Sequence, residues 1–243
     1  MLKTSSSKPY YEQIKEYILH RINAGELKPN HQIPSERVLS DQFGVSRLTV
    51  SKAIKELVFE GKLYTQVGKG TFVSAEAINQ TLDHLTSFSE EMSKRGQTPS
   101  SRVLEQALIR ADERIAGQLQ ITPGAALVLL KRARLADGQP VALETTYLIA
   151  DYCVGILEAH DFRHESLYHV LRNSYNLRLM HAEQELEARQ PTAEEARVLK
   201  VDQSTPILHI TRVTYIEHER PIEYVESAYR GDRYKFRARL VQV

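Results

Sequence analysis

Between Pro34 and Val73 the apolar positions fall into three short patterns. Val38, Leu39 and Phe43 recur at helical spacing between Ser35, a good N-cap, and Gly44, a good left-handed stop, which predicts a short helix with those three side chains inward. After a tight turn, Ser46 caps a second predicted helix in which Val50, Ala53, Ile54, Leu57 and Val58 form the apolar stripe. Arg47, Thr49, Ser51, Lys52 and Lys55 fall mostly off that stripe. Gly61 ends the helix, and Leu63 to Gln66 and Thr71 to Val73 can pair as a hairpin around Val67-Gly68-Lys69-Gly70. Upstream, Tyr11, Ile14, Ile18 and Ile22 repeat at helical spacing from Pro9 to Gly25 and predict the first helix of the same unit. Three helices and a hairpin, with a polar and basic face on the last helix, describe a helix-turn-helix with a wing.

The pattern changes after Val73. Ser74 to Gln80 reads as a polar linker and potential hinge, and Thr81 to Arg95 as a helix with Leu82, Leu85, Phe88 and Met92 inward, closed by Gly96 and Pro99. A repeat follows at an offset of 80 residues: Asp112, Ala116, Leu119, Ile121, Leu127, Leu130 and Arg132 answer to Thr192, Ala196, Leu199, Val201, Ile207, Ile210 and Arg212, and after a one-residue slip Pro140-Val141 answers to Pro221-Ile222. Each copy reads as capped helix, turn, strand, reversal and strand, with Asp137-Gly138 as a hairpin signal in the first. Alternating stretches at Arg102 to Ile109, Leu179 to Gln190 and Phe236 to Val243 add strands, and His164 to Tyr175 adds a helix. The expected body is a closed α+β domain with a mixed sheet and internal pseudo-symmetry.

Composition refines this picture in one respect. The net charge of +1 over 243 residues divides unevenly: residues 1 to 73 hold eleven Lys and Arg against seven Asp and Glu, or +4, and the remainder holds twenty-one against twenty-four, or −3. A basic head suits nucleic acid, and an acidic body does not. No apolar run reaches membrane-spanning length and no basic-then-apolar leader is present, so a cytoplasmic protein without membrane contact is expected. The lone Cys153 can form no intrachain disulfide.

Candidate chemistry in the body centres on Arg132 and Arg134. Two residues apart on a strand, they leave the same face and continue the line of Val128 and Leu130, so both guanidinium groups can converge on one anion. Spacing alone allows the other arrangement equally: carboxylates such as Glu144 or Glu226 neutralising the pair across the sheet.

At Pro34 to Val73 the chain resembles the GntR family of bacterial transcription regulators, whose winged-helix domain carries a P-S-E-R-x-L-[AS] run, a V-S-R-x-T-V run and a glycine-rich wing. The resemblance implies that Arg37, Arg47 and Thr49 contact DNA, that Ser35, Ser46 and Lys52 support them, and that Gly68, Lys69 and Gly70 enter the minor groove. Ser51 departs from the pattern, since many members carry arginine there. The order of helix, Arg-x-Arg strand, Pro-(x)3-Glu strand and Ser-x-Tyr helix resembles the UTRA effector domain of the HutC subfamily, which implies a chorismate-lyase-like α+β fold. By resemblance to members that bind amino-sugar phosphates, Ser89, Arg132, Arg134, Ser166 and Tyr168 would hold a phosphate, while Glu144, Glu223 and Tyr229 would hold the rest of the effector. Other members bind carboxylic acids, and the arginines do not distinguish those anions.

Enzyme and metal readings find less support. His164-Glu165 and His169 are spaced one residue too far for a zinc-protease pair, Gly68-Lys69-Gly70-Thr71 lacks the frame of a phosphate-binding loop, and no serine sits in a nucleophile elbow. The expectation is a non-enzymatic, effector-responsive regulator, a repressor, with a winged head over residues 1–73, a linker over 74–80 and a UTRA effector and dimerisation domain over 81–243. It would bind a pseudo-palindromic operator in double-stranded DNA as a homodimer and be released or re-oriented by a small anion, an amino-sugar phosphate or a carboxylic acid, with no cofactor and no metal. A small-acid lyase domain tethered to a DNA-binding head is the alternative, though fold alone does not transfer chemistry.

Overall fold

A computed structural model describes residues 8–66, 68–74 and 78–239. The chain forms two compact units that meet in sequence at Ile78 and Asn79. Three residues of the expected hinge, 75–77, and the end of the expected last strand, 240–243, lie outside the described residues.

The head consists of α1 (Tyr10–Asn23), α2 (Glu36–Phe43), α3 (Arg47–Phe59), β1 (Leu63–Gln66) and β2 (Gly70–Val73). Ser35 and Ser46 cap α2 and α3 by accepting hydrogen bonds from the backbone N–H of Val38 and Thr49, and Gly44 ends α2 at φ 64°. Ile14, Ile18, Leu39, Val50, Ala53, Ile54, Leu57, Leu63 and Val73 close one core. Tyr17 meets Phe43 edge-on at 5.0 Å, and Lys15 bridges Glu56 and Glu60, tying α1 to α3. Val38 is 46% exposed, against expectation. The two-turn helix α2 turns only one of its apolar positions fully inward, and Leu39 takes it.

The strands β1 and β2 pair in register from Leu63 opposite Val73 to Gln66 opposite Gly70, which forms the wing. Gly70 has φ 116°, and the Gln32 side chain occupies the space a Cβ would fill. Gln32 Nε2 also donates to the Lys69 carbonyl at 2.8 Å, so the wing tip is clamped through a contact only glycine permits.

The body begins with β3 (Ile78–Thr81) and α4 (Phe88–Lys94), then runs β4 (Pro99–Arg110), α5 (Glu113–Leu119), β5 (Ala126–Ala136), β6 (Gln139–Ile149), α6 (Ile156–Ala159), α7 (Leu167–Asn173), β7 (His181–Arg189), α8 (Ala193–Leu199), β8 (Ile207–Ile216), β9 (Arg220–Arg230) and β10 (Tyr234–Arg237). The helix expected over Thr81 to Arg95 is shorter. Its start is set by a capping box in which Ser87 accepts from Glu90 N–H and the Glu90 carboxylate accepts from Ser87 N–H, while β3 pairs with β10.

Six strands form one sheet in the order β4-β5-β6-β9-β8-β7. Every neighbouring pair is antiparallel, which corrects the expected mixed sheet within the α+β class. The repeat supplies the reason. The segments β4-α5-β5-β6 and β7-α8-β8-β9 are two copies joined at the β6–β9 seam, and a two-fold axis through that seam must bring like strands together in opposite directions. With the offset of 81 that applies at the seam, Thr145 corresponds to Glu226, and these two residues face each other in register. The pseudo-dyad therefore passes between them.

The two faces of the sheet are covered differently. Leu127, Ile149, Val213 and Tyr215 pack with α5, while Val128, Leu130 and Leu148 pack with α7 and Phe162 on the other face. Among the described residues no helix is long and apolar enough to cross a membrane.

Leu57 is wholly buried in the head core. Its replacement by alanine should destabilise the head by about 2 to 5 kcal/mol through lost burial and the cavity left behind. Urea unfolding followed by circular dichroism checks this, since an unchanged midpoint would mean the core is not closed around α3.

Candidate functional site

Two regions carry groups that the folded chain itself does not satisfy. The first is the start of α3. Acidic residues occupy the first turns of α1 (Glu12) and α2 (Glu36), but none occupies that of α3. Ser46 caps the Thr49 N–H, but no acidic side chain in that turn offsets the positive dipole end, a setting that favours an anion such as a phosphate. Arg37 and Arg47 are exposed, and no ion pair engages either among the described residues. Leu48, between Arg47 and Thr49, is 82% exposed.

The remaining expected DNA contacts divide by what already holds them. The Ser35 and Ser46 hydroxyls accept the capping hydrogen bonds, and Ser46 Oγ lies 2.9 Å from Thr49 Oγ1. These hydroxyls set the shape of the helix start. Lys52 Nζ sits 3.7 Å from the centroid of the Tyr11 ring, a cation–π contact with α1. Gly68, Lys69 and Gly70 form the wing tip, with Gly68 and Lys69 exposed.

The second region is a cavity of about 50 Å³ on the α7 face of the sheet. Strands β5, β6, β8 and β9 supply its floor, and α7, the start of α4 and the residues before it supply its cover. Arg132, Arg134, Glu144, Ser166, Tyr168, Glu223 and Tyr229 all line it. Ser89 does not; Thr86, Ser87 and Phe88 line it instead, because α4 begins later than the sequence suggests. Gln80, Arg212 and Ser227 also line it and were not singled out from sequence. The signal for Arg212 was present, since the repeat makes it the counterpart of Arg132.

Arg132 and Arg134 are 2% and 4% exposed. Arg132 Nη2 donates to Glu144 Oε1, and Arg134 Nη1 stands 3.7 Å from the same oxygen. Their guanidinium groups lie over Phe162 and Phe88, at 5.8 and 4.5 Å from the ring centroids. Glu226, the other carboxylate considered for this role, instead pairs with Arg114 at 2.7 Å. One carboxylate thus serves two arginines. Nε and Nη1 of both arginines are buried without a hydrogen-bond partner, which is a costly arrangement in the absence of an anion.

The carboxylates of the cavity are held in opposite ways. Burial would raise the Glu144 carboxyl, but Arg132 and Arg134 outweigh it and hold the group below the ordinary carboxylate range. Burial raises Glu223, with Glu144 adding to the rise, although Thr214 and Tyr168 donate to its Oε2 at 2.7 and 2.8 Å. Arg134 is pushed down to about 10 by burial and by Arg132, and stays protonated at neutral pH. Tyr229 is pushed up to about 12, chiefly by burial. Arg212 Nε and Nη2 donate to Gln184 Oε1 at 3.1 and 2.8 Å.

A winged helix-turn-helix head joined to a body with a cation-lined cavity is the build of a ligand-responsive DNA-binding regulator. The chain belongs to the GntR family of bacterial regulatory proteins, whose pattern matches residues 10–73, and carries a UTRA domain over residues 94–235. It is 40% identical over 228 residues to the transcriptional repressor NagR of Bacillus subtilis, covering 94% of this chain and 93% of that one. It is 37% identical over 233 residues to MngR of Escherichia coli, the repressor of a mannosyl-D-glycerate transport and metabolism system, covering 94% and 95%. The crystal structure of PhnF from Mycobacterium smegmatis superposes with a TM-score of 0.67 at 30% identity, covering 97% of this chain and all of that one. The protein is an effector-responsive, DNA-binding transcription regulator; its family and these relatives are regulators.

Two outcomes follow. Glu223, raised in the folded state, keeps a proton that the unfolded chain has lost, so its contribution to stability falls as pH climbs from the ordinary carboxylate range towards its folded value. Glu144, lowered, contributes stability above the ordinary carboxylate range that is lost as pH falls through its folded value. Chemical denaturation across a pH series should therefore show Glu223→Gln and Glu144→Gln departing from wild type with opposite slopes; parallel slopes would contradict these environments. In the head, Arg47→Ala should weaken binding to a duplex selected by the protein from a random pool and lower its salt slope by about one if the contact is to phosphate, or relax base preference at one position at a cost of about 1 to 3 kcal/mol if it is to a base edge. A binding titration at several salt concentrations separates the two.

Proposed function

We propose that this protein binds a pseudo-palindromic operator as a homodimer through Arg37, Arg47, Thr49 and the Gly68-Lys69-Gly70 wing tip, and that a small anionic metabolite in the body cavity changes its affinity for that operator. The observation that carries the effector reading is the buried Arg132–Arg134 pair, which lines one cavity, shares Glu144 as its ion-pair partner and leaves four donor atoms without a hydrogen bond. Counting Arg132, Arg134 and Arg212 against Glu144 and Glu223, the cavity carries a formal charge of +1, rising to +2 when Glu223 holds its proton.

A phosphate suits the arrangement because two guanidinium forks and the Ser166 hydroxyl can share its oxygens. At about 50 Å³ the cavity offers room for an anionic head as it stands. The rest of an amino-sugar phosphate would then lie towards Glu144, Glu223 and Tyr229, whose acceptors suit hydroxyl or ammonium groups. A carboxylic acid is the second reading: the E. coli relative governs a system for mannosyl-D-glycerate, a sugar carrying a carboxylate. A two-fold protein matches two half-sites about one helical turn apart, which is the support for the homodimer.

Effector control requires differential affinity for two arrangements of the protein, and reciprocity requires DNA to weaken effector binding by the same factor. Thermal unfolding against sugar phosphates and small carboxylic acids tests the pocket, because a ligand of the folded state at a hundredfold excess over its Kd adds about 2.7 kcal/mol. Glucosamine 6-phosphate or a related compound is expected to raise the midpoint of wild type and not of Arg132→Ala, and to shift operator affinity. Stabilisation that survives Arg132→Ala would remove the anion site from this cavity, and unchanged operator affinity at saturation would remove effector control.

A further inference from the structure

Val50, Ala53, Ile54 and Leu57 turn the apolar stripe of α3 into the head core. Leu48 stands two residues before Val50, about 200° around the helix from it, and is 82% exposed. The side chains one turn further along are Ser51 and Lys52, and neither covers it. Ser51 is short, and Lys52 Nζ is drawn to within 3.7 Å of the Tyr11 ring centroid on α1. Leu48, Ser51, Lys52, Lys55, Glu56 and Phe59 line an open groove of about 410 Å³ along the outer face of α3.

Single exposed apolar residues are ordinary on a protein surface, so exposure alone says little. The place of Leu48 and the charge around it say more. Lys15 holds Glu56, which leaves Lys52 and Lys55 to make this groove positive, and the exposed Arg47 stands directly beside Leu48. A partner for this face must therefore be an anion that also presents an apolar group. The major groove of a DNA duplex does both: phosphates flank it, and the C5 methyl of thymine is the apolar group on its base edges. A recognition helix presents the side chains of its first turn to those edges, and helical side chains lean back towards the N-terminus, which aims Leu48 at the bases ahead of α3. Phe59, eleven residues on and about 16 Å further along the axis, falls outside this contact.

We propose that Leu48 is a specificity-determining residue whose side chain packs on the C5 methyl of a thymine in the major groove, between the contacts of Arg47 and Thr49. The inference rests on the DNA-contact reading of Arg47 and deepens it, since arginine and threonine read hydrogen-bonding groups and Leu48 adds a methyl that neither of them reads. Ser51 belongs to the same device. A long side chain one turn after Leu48 would compete for the space the thymine methyl takes, and serine leaves it open.

The test uses the full-length protein and a duplex it selects from a random pool. Each thymine is replaced in turn by deoxyuridine, which removes the methyl and leaves the hydrogen-bonding edge intact, and each duplex is titrated with wild type, Leu48→Ala, Phe59→Ala and Arg47→Ala. In each half-site one replacement should weaken wild-type binding by about three- to fivefold, the size expected of one buried methyl group. Leu48→Ala should bind the thymine duplex more weakly by a similar factor and no longer distinguish thymine from uracil at that position, whereas Phe59→Ala should distinguish them as wild type does. Because Leu48 is exposed, alanine there should leave the thermal midpoint of the head unchanged. If no replacement costs wild type more than about twofold, or if the discrimination survives Leu48→Ala, the methyl contact is overturned. Arg47→Ala binding the thymine duplex as tightly as wild type overturns the DNA face and this inference with it, and that failure is distinguishable because it appears before any thymine is replaced.

Discussion

Two guanidinium groups sharing one carboxylate, shut away from water on a single face of the sheet, set the terms for the rest of the body. Like charges two residues apart repel, and burial deprives each of the hydration that would screen the other. Glu144 compensates part of this, and the Phe88 and Phe162 rings lie against the two guanidinium groups. Four donor atoms nonetheless remain without hydrogen-bond partners. Replacing such a cluster with well-packed apolar residues is often neutral or stabilising in proteins, so stability alone does not account for the arrangement. The cover over the cavity follows from the same constraint. The salt bridge from Arg172 to Glu90, 3.0 Å long, links α7 to α4. The Ser87 capping box fixes where α4 starts and hence which side chains close the cavity.

The cavity owes its polarity to divergence within the repeat. On the first copy, Arg132 faces Glu144 and Arg134 faces Ala142; on the second, Arg212 faces Val225 and Thr214 faces Glu223. Each copy thus contributes one carboxylate, but on different rungs, and the two face opposite electrostatic surroundings. Glu144 is drawn down by two arginines, whereas burial raises Glu223. Exact two-fold symmetry would place equivalent groups about the Thr145–Glu226 axis. The asymmetry instead sets Arg132 and Arg134 on one copy against Arg212 and Thr214 on the other.

Much of the head was legible along the chain because its determinants are local. Ser35, Gly44, Ser46 and Gly61 punctuate helices through backbone chemistry that acts within a few residues, and apolar spacing identifies the core-facing side of each helix. The wing required only a hairpin pattern. Val38 was misread because periodicity identifies a face but not how much of it the neighbouring helices cover. In the body the repeat, the hairpin at Asp137-Gly138 and the common face of Arg132 and Arg134 were visible for the same reason. The α4 boundary was misplaced even though the Ser87 to Glu90 box is written in the sequence, because the apolar periodicity upstream of it belongs to β3 and the stretch that follows.

The sequence by itself determined the two-part organisation, the capped helices, the wing and the doubled body, because propensity, capping and periodicity are short-range effects. Tertiary structure alone decided the antiparallel sheet, the choice of Glu144 over Glu226 as partner of the arginines, the place of Thr86 and Ser87 rather than Ser89 at the cavity, and the entry of Arg212 and Ser227 into it. Those outcomes depend on strand register and on which face of the sheet a helix covers. A shift of one residue in register exchanges the two faces, and nothing within either strand alone records which register its partner takes.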